Sequence, residues 1–247
     1  MHLLLLPGMD GTGRLFEPLL PFLPPSLVAA VVAYPTDRPC GYAELLPRVE
    51  AALPDGQEFL VLGESFSGPL ALLLAARGPA GLRGIILCAS FARSPLPSIA
   101  RWFRGLIRPW WFRAVPRWLI RRVLLGRFST PRLARMVEDA IALVQPAVLA
   151  ARARAILEVD VGAQLQVCPV PLLYLAATED RLVSRRSLAH IRRVQPRVEV
   201  AKLVGPHLLL QVVPEQAGRV IQAFAAACES PKKSLRQTGA AFRFSEV

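Results

Sequence analysis

Acidic residues are missing from a long stretch of this chain. Between Ser65 and Val137 there is no Asp or Glu, while the same stretch carries 13 Arg. Outside it, 17 basic residues face 18 acidic ones, so the net charge of +12 comes from one segment and not from the surface as a whole. Histidine is also scarce. Only His2, His190 and His207 are available as a general base or metal ligand. The four cysteines (Cys40, Cys88, Cys168, Cys228) form no CxxC pair and no metal-ligand spacing, which fits buried thiols in a reducing compartment better than a disulfide framework. No apolar run reaches the roughly eighteen residues of a membrane span. The apolar opening MHLLLLPG is short, with no basic leader or small-residue cleavage site, so no secretory signal is expected and the location is expected to be cytoplasmic. The 53% hydrophobic and 7% aromatic content exclude low-hydrophobicity disorder for most of the 247 residues, which suffice for one large domain or a domain with an insertion.

Six short apolar segments punctuate the chain: HLLLL (2–6), LVAAVVA (27–33), EFLVL (58–62), GIILCA (84–89), PLLYLA (171–176) and VEVAKLV (198–204). Each is too short for a helix, and the continuous apolar pattern predicts strands buried on both faces. Helical segments are expected near 14–23, 42–53, 66–77, 184–194 and 214–228. This alternation predicts an α/β fold, a doubly wound, mostly parallel sheet of about six strands. From about Phe91 to Gln166 the alternation stops and helix-like sequence broken by prolines takes over. The expected organisation is therefore a core of 1–90 and 167–229, a helical cap inserted at 91–166, and a flexible polar tail at 230–247.

The sequence GESFSG (63–68) joins the third strand segment to an apolar helical one. A strand that turns sharply into a helix exposes the turn residue at the carboxyl end of the sheet, where open α/β sheets place their ligand sites. Small residues two before and two after let the backbone bend, as in the G-x-S-x-G elbow. Here Gly63 and Ser67 flank Ser65, with Ser67 replacing the second glycine. A serine hydroxyl needs a base, and the base an orienting carboxylate. His2 opens a strand and His190 lies inside a helical segment, so both are expected to be structural. His207, in the loop GPHLLLQVVPEQ after the last strand, is the candidate base. Asp180, in the loop after PLLYLA, is the candidate carboxylate, with Glu179 as fallback. PGMDGTG (7–13) is not a phosphate loop, since no GK[ST] follows.

The three segments LVLGESFSGPLAL, LYLAATEDRLVS and VGPHLLLQVVPEQ together resemble the α/β-hydrolase superfamily, with Ser65, Asp180 and His207 in that family's chain order. The resemblance implies that Ser65 attacks a carbonyl, that His207 shuttles the proton and that Asp180 orients the imidazole. It also implies an oxyanion hole from the backbone N–H groups of Met9 and Phe66, with PG standing where the family often has HG. The middle insertion falls where family members carry a cap. PGMDGTG and ESFSG are similar to a subgroup that includes plant phytyl-ester synthases and bacterial relatives, which move long acyl chains between lipids. The expected function is hydrolysis of a carboxylic ester or thioester with a hydrophobic acyl group, without cofactor or metal. The rivals are acyl transfer by the same residues, a non-catalytic lipid or small-molecule binder, and another reaction class such as C–C bond hydrolysis.

The segment SIARWFRGLIRPWWFRAVPRWLIRRVLLGRF (98–128) holds all four tryptophans, with arginines at near-helical spacing between apolar residues. It reads as a cap helix pair with its arginines in water, or as an interfacial surface (98–127) in peripheral contact with an anionic membrane. The two are compatible. Nucleic acid is not an expected partner, since no binding motif accompanies the arginines.

Overall fold

All six apolar segments form strands in the computed structural model, which describes residues 1–229; the expected tail at 230–247 lies outside the described residues. The strands are β1 (His2–Leu6), β2 (Val28–Val31), β3 (Phe59–Glu64), β4 (Leu82–Cys88), β5 (Leu172–Ala177) and β6 (Glu199–Leu203). They make one sheet in the order β2-β1-β3-β4-β5-β6, every pair parallel. The order reverses between β1 and β3, and crevices at such switch points are where ligands bind in open α/β sheets. Leu6 pairs with Gly63, so the loops that leave β1 and β3 emerge side by side.

Strand side chains alternate between two helical layers, as the period of two requires. Leu4, Leu6, Val61, Ile85 and Tyr174 pack under α1 (Tyr42–Glu50), α2 (Gly68–Ala76), α7 (Gly162–Gln166) and α8 (Arg185–Val194). Leu3, Leu5, Leu60, Leu62 and Ile86 face the short α9 (Leu209–Val212) and the long α10 (Pro214–Glu229). Helix α2 is apolar all round because it is enclosed: Leu70, Ala71, Leu72 and Leu74 are fully buried.

Two expectations fail locally. β2 and β6 are not buried on both faces, because they are the edges of the sheet; Val28, Val31 and Glu199 are exposed. The helix expected at 14–23 is instead two 3-10 turns, Arg14–Phe16 and Leu20–Phe22. Pro18 and Pro21 interrupt it, since a proline inside a helix removes one backbone donor and clashes with the preceding turn.

Between β4 and β5 the chain is helical: a 3-10 segment (Ser98–Leu106), then α3 (Pro109–Ala114), α4 (Arg117–Leu124), α5 (Pro131–Ala142) and α6 (Pro146–Glu158). Its two ends meet. Arg93 and Asp160 form an isolated antiparallel bridge, and the Ser94 N–H donates to the Val159 carbonyl at 2.9 Å. The insertion therefore leaves and re-enters the core through one neck. α7, which the expected boundary at 166 includes in the insertion, lies beyond that neck and packs with α2 and α8, its Leu165 fully buried against the sheet layer.

Candidate active site

Ser65 stands where β3 ends, in a 3-10 turn leading into α2, with φ at +48°. A left-handed non-glycine residue costs about 1–3 kcal/mol and persists only where its surroundings hold it. Here the Ser65 carbonyl accepts from Ser90 Oγ at 2.5 Å, and Ser90 in turn receives the Tyr174 hydroxyl on its own carbonyl at 2.7 Å. The turn is too tight for a side chain at Gly63, whose Cβ would lie 2.6 Å from the Ser67 carbonyl oxygen. Gly68 takes the other close approach, since a Cβ there would overlap Ser90. Ser67 is therefore no mere substitute for glycine. It is fully buried, pairs with the Tyr34 hydroxyl at 2.6 Å, and donates to the Pro7 carbonyl. That bond ties the serine turn to the loop after β1.

The structure brings Ser65, His207 and Asp180 together. His207 Nε2 lies 2.9 Å from Ser65 Oγ, and Nδ1 lies 2.9 Å from Asp180 Oδ2. The His207 side chain is 4% exposed, so its bonds compete little with water. Asp180 Oδ1 accepts from the Leu182 and Val183 N–H groups at 2.8 and 2.9 Å, which fixes the carboxylate. The two loops that carry these residues are joined: Thr178 N–H donates to the Leu203 carbonyl and Glu179 N–H to the Gly205 carbonyl. Glu179 itself turns outward onto Arg127, reaching Nε at 3.0 and 3.1 Å. His2 sits beside Gln57 and His190 beside Arg193, both away from this group.

A family model described as "Serine aminopeptidase, S33" matches residues 43–205, which include Ser65 and Asp180. The chain belongs to this family of α/β hydrolases. Among solved structures it is similar to a thermophilic esterase from Thermogutta terrifontis (17% identity, 93% of this chain and 91% of that one, TM-score 0.81). It is also similar to a structure described among carboxylesterases of Nitrososphaera gargenis (14%, 92% and 90%, TM-score 0.77) and to a bromoperoxidase from Bacillus anthracis (14%, 91% and 91%, TM-score 0.76). At such identities the likeness is one of fold. No curated protein matches the sequence.

In this hydrolase the loop after β1 lies against the serine: a Cβ on Gly8 would be 4.0 Å from Ser65 Cβ. The Gly8 carbonyl accepts from Gly11 N–H at 3.0 Å. Because the peptide is trans, the Met9 N–H points the opposite way, out of that turn. Asp10 does not reach the histidine; its Oδ2 accepts from the Thr12 N–H at 2.9 Å and hydroxyl at 2.5 Å. Phe66, the residue after the serine, is buried. Its ring stacks on Tyr42 at 4.6 Å, and its carbonyl accepts the Tyr42 hydroxyl at 3.0 Å.

Two buried neighbours are invisible to motif reading. Arg152, from α6 of the insertion, is fully buried and donates to the Met9 and Asp10 carbonyls at 2.9 Å and to the Pro35 carbonyl at 2.8 Å. Glu64, before the serine, is also buried, and burial pushes its carboxyl up to about 7 against the pull of a 3.0 Å hydrogen bond from Gln211. The insertion grips the other loops as well. Leu208 N–H donates to the Leu124 carbonyl, Arg181 to the Arg122 carbonyl, and Arg127 pairs with Glu179. A cavity of about 310 Å³ lined by Pro35, Arg38, Cys40 and Glu44 includes none of Ser65, Asp180 or His207. Among the described residues, no group of three or more His, Cys, Asp or Glu could hold a metal ion.

Proposed function

We propose that the protein is a serine hydrolase of carboxylic esters or thioesters with a hydrophobic acyl group, working through an acyl-enzyme on Ser65. The observation that carries this reading is the single imidazole, His207, within 2.9 Å of both the Ser65 hydroxyl and the Asp180 carboxylate. His207 Nε2 takes the Ser65 proton as Oγ attacks the carbonyl, then gives it to the leaving alcohol or thiol. Asp180 holds the tautomer with the proton on Nδ1 and stabilises the imidazolium. Water, activated by the same nitrogen, then releases the acid. The Met9 and Phe66 amides receive the oxyanion; each such donor contributes roughly 2.7–4 kcal/mol to the transition state.

An apolar acyl group suits the surroundings. Met9 packs against the cluster of Val144, Val148 and Leu149, and Leu208 packs with Leu125 and Val137, all from the insertion. In this reading the insertion is a cap over the acyl site.

The test is hydrolysis of p-nitrophenyl esters from acetyl to palmitoyl by wild type, Ser65→Ala and His207→Ala. Activity that both variants lose, with a preference for longer chains, is the expected result. A folded wild type that cleaves no ester and resists a fluorophosphonate probe would overturn the reading.

A further inference from the structure

The outer side of the insertion lacks a covering. Across residues 101–122 no side chain is buried, and Trp102, Ile99, Trp118 and Trp110 are 77%, 63%, 64% and 61% exposed. Soluble chains rarely leave a contiguous set of large apolar groups in water, and such sets mark interaction surfaces. The same segment is anchored to the rest of the insertion: Arg104 pairs with Glu158, Arg121 with Glu138, and Phe112 packs against the cluster of Val144, Val148 and Leu149. The exposed tryptophans thus belong to a docked element.

Charge decides what could cover it. Arg101, Arg108, Arg113 and Arg122 have no ion-pair partner among the described residues, and no acid lies anywhere between Ser65 and Val137. Arg101 stands 5.7 Å from the centre of the Trp102 ring, so cation and aromatic share one surface. A protein–protein interface core also takes Trp and Arg, but arginines with no acid among them call for a dense anionic partner. A lipid headgroup layer accepts cations and indoles at the same depth, since tryptophan prefers the bilayer boundary and arginine pairs with anionic phosphate. No single helix among the described residues is long and apolar enough to cross a membrane.

We infer that residues 99–122 form a docking surface for an anionic lipid bilayer. The surface is joined to the serine site through the Leu124 carbonyl, which holds the Leu208 N–H next to His207. Docking would present the site to acyl groups held in the membrane; that consequence rests on the ester reading, whereas the docking itself does not.

The experiment is vesicle co-sedimentation of the full chain, with tryptophan emission read in parallel. The vesicles are phosphatidylcholine alone or with phosphatidylglycerol, at low and high salt. All four tryptophans lie in 102–118, so their emission reports this surface alone. Vesicles with phosphatidylglycerol should bind, shift the emission to the blue and release the protein at high salt; phosphatidylcholine alone should bind at least about tenfold more weakly. The double variants Trp102→Ser/Trp118→Ser and Arg108→Glu/Arg113→Glu should each lose about tenfold or more in binding while melting like wild type. Absence of a blue shift, or binding that both variants retain, would sink the inference. So would a dimer in sedimentation velocity that the tryptophan variants dissociate, since a second copy would then cover the surface. Binding to soluble polyglutamate as tight as to vesicles, without a blue shift, would point to an acidic protein and overturn it too.

Discussion

The Arg152 guanidinium donates to the Met9 carbonyl at 2.9 Å, joining the insertion to the loop that follows β1. The same group holds the Asp10 and Pro35 carbonyls, and Gly11 leaves it room: a Cβ there would come within 2.5 Å of Nη1. The insertion is therefore tied to the loop after β1, because its α6 supplies the donor that holds that loop. Arg152→Met fills similar space and leaves the buried Asp10 carbonyl and the half-buried Met9 and Pro35 carbonyls without that donor. It should cost about 3 kcal/mol of stability. If the loop loosens, kcat should fall by about tenfold or more with KM nearly unchanged. Arg152→Lys should recover only part of this, since an ammonium cannot span the three carbonyls as the planar fork does. Thermal melts and ester kinetics on both variants check it.

Ser67 offers a sharper test of motif against structure. Ser67→Gly restores the family's G-x-S-x-G pattern but removes the donor to Pro7 and the partner of Tyr34. The expected result is a loss of roughly 1–3 kcal/mol, with no gain in activity. A variant as stable and active as wild type would show that the bond to Pro7 does not hold the loop.

The two acids of the loop after β5 should separate cleanly. Asp180→Asn keeps an oxygen for the Leu182 and Val183 N–H groups but reverses the tautomer preference of His207, so kcat should fall on the order of 10⁴-fold in a folded protein. Glu179→Gln weakens only the exposed pair with Arg127 and should leave both kcat and the melting temperature close to wild type.

Glu64 gives a pH signature. Its carboxyl ionises at about 7 in the folded state, against an ordinary value of 4.5, chiefly because it is buried. Between these values the folded state holds a proton that the unfolded state has released, so stability falls as pH rises through the window, and the loss is complete above about 7. Glu64→Gln removes this dependence. The variant should match wild type near pH 4.5 and exceed it by about 3 kcal/mol well above pH 7. Melting curves across that range provide the measurement.

Much of the fold was legible because its signals are local. Continuous apolar runs of four to seven residues mark five of the six strands wherever they lie, β6 being interrupted by Glu199 and Lys202, and Gly63 before Ser65 reports a turn that tolerates no Cβ. The misreadings have the same root. LVAAVVA and VEVAKLV look like interior strands, but which strands are edges depends on the order of the sheet. The stretch at 14–23 has helical spacing, yet Pro18 and Pro21 outweigh it. Arg152 and Arg154 stand two residues apart in one helix, and nothing in their neighbours distinguishes the arginine that reaches Met9 from the one that reaches the Ile107 carbonyl.

By itself, the sequence determined the strand segments, the serine turn and the order Ser65, Asp180, His207, because each is written in adjacent residues through period, turn chemistry and the choice of side chain. The tertiary structure alone decided the 2.9 Å distances within that group, the role of Ser67, the reach of Arg152 across 143 positions and the shift at Glu64. Hydrogen-bond partners and burial are properties of what the packed sheet and insertion bring near, and no local pattern encodes them.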